Sequence, residues 1–207
     1  ASGAGGEQAT VDAAKKRVMR LAAGTGRGTR AAPERAEEML EAFEALEGLN
    51  ATLAPADEPE LLDGWWALLY NAPADPASAS VANTTEGPVL GRLRPFFQLF
   101  ARSTGQNQEI DSRGGTVANV ADFELLGGAV KGSLNLRGTC ARASSTRLDV
   151  EFTDAVLTLG GWKGTLSLSA VRPQGWVETT FLDGDLRLGR GDKGSIFVAY
   201  RGAERDG

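Results

Sequence analysis

The residue types that most often carry out catalysis or bind metals are scarce in this sequence. It contains no histidine, and Cys140 is its one cysteine. The lack of histidine excludes Ser-His-Asp and Cys-His catalysis, histidine metal sites and the usual general base at neutral pH. Cys140 cannot form an internal disulfide and directly follows the strand-like residues 132–139. We therefore predict that Cys140 is a small packed thiol and not a nucleophile.

Carboxylates are the remaining candidates for acid–base chemistry. Asp183 and Asp185 are close in the sequence, but they adjoin a predicted turn and no cleft, so we predict that they are not catalytic. Residues 189–195 are rich in glycine, yet they lack the Gly-Lys-Ser/Thr order and the following helix of a phosphate-binding loop. The tripeptide Arg190-Gly191-Asp192 matches an adhesion motif but is predicted to lie inside the fold. The sequence thus predicts no enzyme, no cofactor and no metal site.

Composition and charge narrow the class of protein further. Of the 207 residues, 42% are hydrophobic and 24% are charged, which is typical of a soluble domain with a real core. The formal net charge of −5, without a basic stripe, argues against a nucleic-acid partner. The longest strongly apolar run, residues 65–70, is far shorter than the roughly 20 residues of a membrane-spanning helix. The chain starts without an initiator Met or a signal peptide, so we expect a mature chain from which a targeting segment was removed.

The first part of the chain has the periodicity of helices. Apolar residues recur at helical spacing over residues 10–23, and Gly24 is a suitable stop signal. A second helix is predicted over residues 33–47, because Pro33 suits the first helical position and Gly48 suits the position after the last. Residues 54–59, rich in proline and acids, are predicted to form a linker. We therefore predict an N-terminal helical extension over residues 1–58, made of two helices and a linker.

From Leu61 onward the apolar period changes to two, which predicts strands. A hairpin is expected for residues 106–111 and 116–125, followed by strands at residues 130–137, 147–153, 156–159, 165–171, 176–181, 185–190 and 195–201. Residues 72–88 are predicted to form a loop, and residues 92–100 are ambiguous between helix and strand. Many short strands joined by glycine-containing turns predict a mainly β domain over residues 59–207. Its expected form is a closed antiparallel β-barrel of about eight to ten strands.

Several segments of the chain resemble the plastid lipid-associated protein family, also called fibrillins. Residues 175–198, GWVETTFLDGDLRLGRGDKGSIFV, resemble the closing signature of the family, with Phe181 at a usual tyrosine and Leu188 at a usual isoleucine. Residues 61–70, LLDGWWALLY, resemble its first strand, and residues 46–50, LEGLN, fit the segment before it. Shorter matches are QEID at residues 108–111, NV at residues 119–120 and LDVEF at residues 148–152. After Tyr70 the chain has Asn-Ala-Pro where relatives usually have Thr-Thr, so their ligand preferences do not transfer directly.

The resemblance implies a lipocalin-like barrel. Gly64 and Trp66 repeat the Gly-x-Trp spacing that, in lipocalins, places the tryptophan at the closed end of the barrel, so we predict that Trp66 is mainly a core residue. The interior is expected to bind lipid, and its predicted lining is Trp66, Leu68, Tyr70, Phe123, Leu134, Phe152, Val177 and Phe181. The predicted structural signature is Gly64, Asp183, Asp185, Arg187, Arg190, Gly191 and Gly194. Its four charged residues form either one charge network or solvated charges at strand edges, and the sequence leaves both readings open.

The resemblance also implies a function and a location. It implies a non-enzymatic chloroplast protein, peripheral to the thylakoid membrane or the plastoglobule, that binds or coats a hydrophobic lipid. The expected partners are an isoprenoid, carotenoid, quinone or acyl lipid and the thylakoid or plastoglobule surface. The alternative is a structural docking subunit of a thylakoid complex, such as a photosynthetic membrane protein complex. In that case the two helices and the loop of residues 72–88 would form the contacts.

Overall fold

The chain begins with helices and continues as a sheet. The computed structural model describes residues 3–74 and 101–202. Helix α1 spans Gly3–Ala22, so it starts well before residue 10, and α2 spans Pro33–Glu47 as predicted. A short 3-10 helix at Pro55–Asp57 and helix α3 at Pro59–Leu62 replace the predicted linker. Gly24 ends α1 with a positive φ of 75°, whereas Gly48 keeps a helical φ of −65°.

Nine strands follow in the described part of the chain. They are β1 Gly64–Pro73, β2 Ala101–Asp111, β3 Thr116–Leu125, β4 Val130–Arg142, β5 Arg147–Leu159, β6 Trp162–Ser167, β7 Gln174–Leu182, β8 Leu186–Gly191 and β9 Ser195–Arg201. The hairpin of β2 and β3 is confirmed, and the predicted strands at residues 147–153 and 156–159 form the single strand β5. Residues 75–100 lie outside the described ranges. The predicted loop at residues 72–88, apart from its first three residues, and the ambiguous segment at residues 92–100 therefore lie outside them as well.

Eight of these strands pair into a closed ring. The neighbours are antiparallel in the order β4-β3-β2-β1-β9-β8-β7-β5, and β5 pairs again with β4. Strand β6 pairs with β5 alone. The prediction of a mainly β fold with eight to ten antiparallel strands and an N-terminal helical segment is confirmed.

Two hydrophobic clusters lie on opposite faces of the sheet. The inner cluster joins strands from all around the ring, which can meet only on its inner face; its members are Ala56, Leu62, Trp66, Ile110, Val117, Cys140, Leu148, Leu182 and Ala199. The outer cluster joins the helices to β1, β7, β8 and β9; its members include Val18, Met39, Phe43, Leu46, Tyr70, Phe181, Leu186, Leu188, Ile196 and Val198. Helices α1 and α2 thus cover one side of the ring and share a core with it. The division of the chain at residue 58 stays a prediction.

Two β-bulges decide which face several side chains occupy. Trp66 lies in the inner cluster, but the register of β1 against β9 shifts between Leu68 and Tyr70, so Tyr70 lies in the outer cluster. The register of β7 against β8 shifts in the same way between Thr179 and Phe181, and Phe181 also lies in the outer cluster. An extra residue in one strand reverses the alternation of faces beyond it. The prediction that Tyr70 and Phe181 line the interior is therefore wrong, because both pack beneath the helices.

The prediction that Cys140 is a packed thiol is confirmed. Cys140 lies within β4, belongs to the inner cluster and is 8% exposed. Burial raises the pKa of its thiol, and the charges of Asp63 and Asp111 raise it further. A buried thiol with a raised pKa is a poor nucleophile.

Candidate functional site

One end of the ring is closed around Trp66. Its side chain is almost fully buried, and its indole Nε1 donates a hydrogen bond to the Leu62 carbonyl at 2.8 Å. Because Leu62 ends α3, this bond fixes the indole against the short helix that precedes β1. Two arginines lie beside the indole ring: the guanidinium carbon of Arg201 is 4.3 Å from the ring centroid, and that of Arg187 is 5.7 Å from it. Trp66 is therefore held by cation–π contacts as well as by apolar packing.

Arg201 ties the elements of this closed end together. Its Nε donates to the Gly184 carbonyl at 2.9 Å, its Nη1 donates to the Asp63 carbonyl at 2.9 Å, and its Nη2 donates to the Leu61 carbonyl. Gly64 makes room for it: Gly64 has a φ of +121°, and a Cβ there would lie 3.0 Å from Arg201 Nη1. Sequence reasoning missed Arg201, which lies beyond the closing signature. Its role follows from the register that places it opposite Trp66, and a single sequence does not reveal that register.

Arg187 lies on the inner face of the ring. It pairs with Ala199 of β9 and with Leu182 of β7, both members of the inner cluster. Its side chain is 1% exposed, and its guanidinium carbon is 4.9 Å from the ring centroid of Phe197. Its Nη2 donates to Gln108 Oε1 at 2.6 Å.

Gln108 extends this contact into a polar row across the inner face. Gln108 pairs with Trp66 on one side and with Asn119 on the other. Its Nε2 donates to Asn119 Oδ1 at 2.9 Å. We call Arg187, Gln108 and Asn119 the inner polar row. The sequence predicts an almost entirely apolar interior, so this row is a finding of the structure.

The guanidinium of Arg187 has no counter-charge within the described part of the chain. Its Nε and Nη1 atoms are buried and have no hydrogen-bond acceptor there, and no carboxylate contacts it. Burial lowers the pKa of Arg187 to about 9, so the group is still protonated at neutral pH. Buried charges in proteins are normally paired, because an unpaired charge loses its hydration without compensation. Arg187 is therefore the most unusual group of the inner face.

On β4 and β5 the inner wall next to the inner polar row is apolar and is not completely filled. Leu134, Leu136 and Phe152 are all part-exposed, although β4 and β5 are paired along their whole lengths. Leu136 shares the inner face because it pairs with Asn119, and Leu134 follows it by the two-residue alternation. Side chains that face the inside of a ring keep accessible surface only where their neighbours leave space.

The remaining predicted lining residues also lie on the inner face. Leu68 pairs with Ala199, Val177 packs on the inner cluster, and both are part-exposed. Phe123 is 8% exposed and lies over Gly132, where a Cβ would be 2.5 Å from its ring. Of the predicted lining, the structure thus brings together Trp66, Leu68, Phe123, Leu134, Phe152 and Val177. Whether these residues bind lipid stays a prediction.

The charged residues of the closing signature form separate contacts and no single network. Lys15 of α1 lies 2.6 Å from Asp183 Oδ2 and 3.3 Å from Asp185 Oδ2. Asp183 Oδ1 also accepts hydrogen bonds from the backbone N–H groups of Asp185 and Leu186, which closes the turn between β7 and β8. The four charges therefore form no single network: Asp183 and Asp185 join α1 to the ring, and the side chain of Asp185 is 88% exposed.

A second contact of this kind involves α2. Arg190 binds both carboxylate oxygens of Glu47, with Nε–Oε1 and Nη2–Oε2 distances of 3.0 and 2.6 Å. The other signature residues, Gly191 and Gly194, belong to the β8–β9 hairpin. Gly194 has a φ of +69°, which favours glycine, and a Cβ on Gly191 would lie 2.8 Å from Ser195 Oγ.

Asn50 is a structural residue whose role the sequence does not reveal. Its Oδ1 accepts hydrogen bonds from the backbone N–H groups of Thr52 and Leu182 at 3.1 and 3.2 Å. Thr52 Oγ1 donates to the Leu182 carbonyl at 2.8 Å. Asn50 therefore attaches the segment after α2 to the end of β7, which gives a physical reason for the asparagine in LEGLN.

The surface of the described residues includes two grooves. One groove of about 510 Å³ lies between the end of α1 and β1, beside Met19, Leu69 and Tyr200. Another of about 510 Å³ lies on the outer face of β4, β5 and β7, beside Arg147 and Trp176. No group of three or more potential metal ligands occurs within residues 3–74 and 101–202. No helix in the same ranges is long and apolar enough to cross a membrane.

The closed ring of antiparallel strands, with Trp66 at one end and helices packed on its outer face, defines a class of small mainly β proteins. A model of the PAP_fibrillin family matches residues 12–200, and the chain belongs to this family. It is 29% identical, over 87% of its length, to both plastid lipid-associated protein 3, chloroplastic, of Brassica campestris and probable plastid-lipid-associated protein 3, chloroplastic, of Arabidopsis thaliana. It covers 58% and 56% of these two relatives, a little over half of each.

A third relative carries a pigment in its name. The chain is 27% identical, over 90% of its length, to the chromoplast-specific carotenoid-associated protein, chromoplastic, of Cucumis sativus, of which it covers 68%. No solved structure matches the chain.

Proposed function

We propose that this chain is a plastid lipid-associated protein that binds a hydrophobic lipid along the inner wall of its ring and works peripherally at a thylakoid or plastoglobule surface. The observation that carries this proposal is the part-exposed apolar wall formed by Leu134, Leu136 and Phe152 beyond the inner polar row. The names of the relatives, which refer to plastid lipids and carotenoids, support the same assignment.

The physical driving force is burial of apolar surface. At about 25 cal/mol per Å², covering roughly 300 Å² of a lipid chain contributes about 7 kcal/mol before the costs of ordering the ligand. A bound isoprenoid, carotenoid, quinone or acyl chain therefore needs to occupy only part of the ring. Full enclosure of the ligand is not required for useful affinity.

The chemistry of the inner face supports binding and not turnover. The polar groups that the described strands place there include the guanidinium of Arg187, the amides of Gln106, Gln108 and Asn119, and the hydroxyl of Thr179. None of these side chains acts as a general base at neutral pH, since the arginine stays protonated and amides and hydroxyls do not titrate there. Binding without catalysis is the function that these groups can perform.

Two neighbouring turns supply a surface for contact with lipid. Leu126, after β3, is 71% exposed, and Trp162, at the start of β6, is 59% exposed. The turns are adjacent because the Gly160 N–H donates to the Lys131 carbonyl at 2.9 Å. Lys131 and Lys163 flank the two apolar side chains and are exposed. Tryptophan beside lysine is typical of positions at a membrane–water interface.

The first experiment is mass spectrometry of organic extracts of the protein purified from its native plastid membranes. One lipid or pigment retained at near one-to-one ratio supports a carrier and identifies its cargo. Co-purification of a stoichiometric protein partner that survives delipidation, without bound lipid, contradicts the carrier. It favours the docking subunit of a thylakoid complex instead.

A second experiment locates the ligand. Leu134→Trp fills the inner wall, whereas Arg137→Trp adds the same side chain at an exposed position on the same strand. We expect Leu134→Trp to weaken binding of a carotenoid or a long-chain quinone at least tenfold and Arg137→Trp to leave it unchanged. Equal binding by both folded variants contradicts a site inside the ring.

A third experiment tests the lipid surface. The double variant Leu126→Ala and Trp162→Ala should reduce co-sedimentation with vesicles of plastid galactolipids. Leu53→Ala is the matched control, because Leu53 is 81% exposed near the closed end of the ring. Unchanged co-sedimentation of the double variant, or an equal loss with Leu53→Ala, contradicts the proposed contact surface.

A further inference from the structure

The interior contains a charge that the described chain does not neutralise. Arg187 Nε and Nη1 are buried without an acceptor, and the single polar contact of the guanidinium is the neutral amide of Gln108. The loss of hydration at this position is large, as the lowered pKa of Arg187 shows. Cation–π contacts with Trp66 and Phe197 offset only part of it, because an aromatic ring does not replace the hydrogen bonds that water makes to Nε and Nη1.

Closing the end of the ring does not require Arg187. Arg201 already stacks closer to Trp66, at 4.3 Å against 5.7 Å, and donates to three backbone carbonyls. A leucine or methionine at position 187 would fill the same volume among Trp66, Leu182 and Ala199 without burying a charge. The arginine is therefore explained better by an anion that enters the ring than by the packing of the ring itself.

We propose that Arg187 binds the carboxylate of a single-chain lipid, whose tail runs along Leu68, Leu134 and Phe152. The proposal rests on the proposed function and narrows its ligand from any hydrophobic lipid to an amphiphile with an acidic head group. A carboxylate matches a guanidinium in charge and in planar shape, and such charge-assisted hydrogen bonds are roughly twice as strong as neutral ones.

The position of Arg187 gives the ligand a direction. Arg187 and Gln108 lie beside Trp66, at the closed end, and Leu134 lies farther along β4 toward the β3–β4 turn. A head group held by Arg187 thus points the tail toward the end that carries the exposed Leu126 and Trp162. The ligand would enter from the same end that is proposed to face the lipid surface.

The ring of Phe197 packs against the guanidinium. Its ring lies 4.9 Å from the Arg187 guanidinium carbon and over Gly189, where a Cβ would be 2.4 Å from the ring. Gly189 therefore permits the position of Phe197, which is itself part-exposed.

The test compares an acid with a neutral molecule of the same chain length. Delipidated full-length chain is titrated with oleate and with oleyl alcohol below their critical micelle concentrations, by isothermal calorimetry. We expect oleate to bind at least tenfold more tightly than oleyl alcohol. Arg187→Met should abolish this preference and keep the binding of oleyl alcohol, whereas Arg137→Met, on the exposed face of β4, should behave like the wild type.

A second readout reports the carboxylate itself. With oleate labelled with carbon-13 at the carboxyl carbon, the bound signal should have a different chemical shift in the wild type and in Arg187→Met. Two results would overturn the assignment of Arg187: equal affinity of the wild type for oleate and oleyl alcohol, or an unchanged preference for oleate in folded Arg187→Met. The proposed lipid-binding function would stand in both cases. Failure of the wild type to bind either probe, or any carotenoid or quinone, overturns both.

Discussion

Replacing Arg187 with methionine should make the protein more stable. Burial lowers the pKa of Arg187 by several pH units, to about 9, which corresponds to a penalty of roughly 5 kcal/mol for the buried charge at about 1.4 kcal/mol per pH unit. The substitution also removes two cation–π contacts and leaves Gln108 Oε1 without its donor, which together cost about 3–4 kcal/mol. The expected net gain in the free energy of unfolding is about 1–2 kcal/mol.

The matched comparison is Arg201→Met, at the other arginine beside Trp66. Arg201 donates to three backbone carbonyls, which lose their partner in this variant. We expect Arg201→Met to lower the free energy of unfolding by about 2–4 kcal/mol. Urea unfolding followed by tryptophan fluorescence measures both variants, and an increase of about 1–2 kcal/mol for Arg187→Met raises Tm by roughly 2–8 °C in a chain of this size.

The dependence of stability on pH gives an independent check. Burial lowers the pKa of Arg187 to about 9 in the folded chain, whereas the exposed guanidinium of the unfolded chain keeps its proton to much higher pH. Above pH 9 the unfolded state therefore binds more protons, and the stability of the wild type rises relative to Arg187→Met. The difference in the free energy of unfolding between Arg187→Met and the wild type should therefore decrease by up to about 2 kcal/mol from pH 9 to pH 10.5. Arg201, the other charge beside Trp66, is present in both proteins and so cancels.

A clear loss of stability in Arg187→Met would refute this reasoning. A decrease of about 1 kcal/mol or more means that Arg187 holds the ring together as Arg201 does. If the difference in the free energy of unfolding between the two proteins does not change with pH, the folded wild type keeps the Arg187 proton well above pH 9. In either case the buried charge is a structural element, and its assignment to a ligand loses its physical basis.

Three further predictions concern contacts outside the inner face. Asn50→Ala removes the acceptor for the Leu182 N–H and should lower the free energy of unfolding, measured in urea, by about 1–3 kcal/mol. Asn50→Asp should lower it less, and an Asn50→Ala variant as stable as the wild type would contradict the role of Asn50. Glu47→Gln breaks the two-point contact with Arg190 and should lower the free energy of unfolding by about 1 kcal/mol. This decrease should be smaller in high salt, and a decrease that is independent of salt would contradict an ionic contribution of the contact. Because burial raises the pKa of Cys140, Ellman's reagent at pH 8 should react slowly with the folded chain and fast in denaturant; rapid reaction of the folded chain would contradict the buried position.

Local patterns were sufficient for most of the fold. Helix α2 has a proline at its start and a clear apolar face, so its ends could be predicted to the residue. The β2–β3 hairpin is equally local, since Asp111 accepts the Gly114 N–H and Gly115 has a positive φ of 68°. Strand β5 was predicted in two pieces because a polar pair, Thr153 and Asp154, interrupts its apolar pattern at the point where its register against β4 shifts.

The site was harder to predict because it depends on register. Alternation along β1 places Trp66, Leu68 and Tyr70 on one face, but the bulge after Leu68 turns Tyr70 outward. The bulge before Phe181 has the same effect in β7. A bulge changes the face of every following side chain without leaving a reliable mark in a single sequence.

Strand β8 shows why the polar part of the interior escapes sequence reading. In this strand Leu186 and Leu188 alternate with Arg187, a pattern that normally places the leucines in the core and the arginine in solvent. Helices α1 and α2, however, cover the outer face of β8, so the leucines pack outward beneath them and Arg187 points into the ring. Because the helices cover its outer face, β8 is buried on both faces and its charged residue, Arg187, lies on the inner face. An interior of this kind can select a lipid by its head group, which a purely apolar wall cannot do.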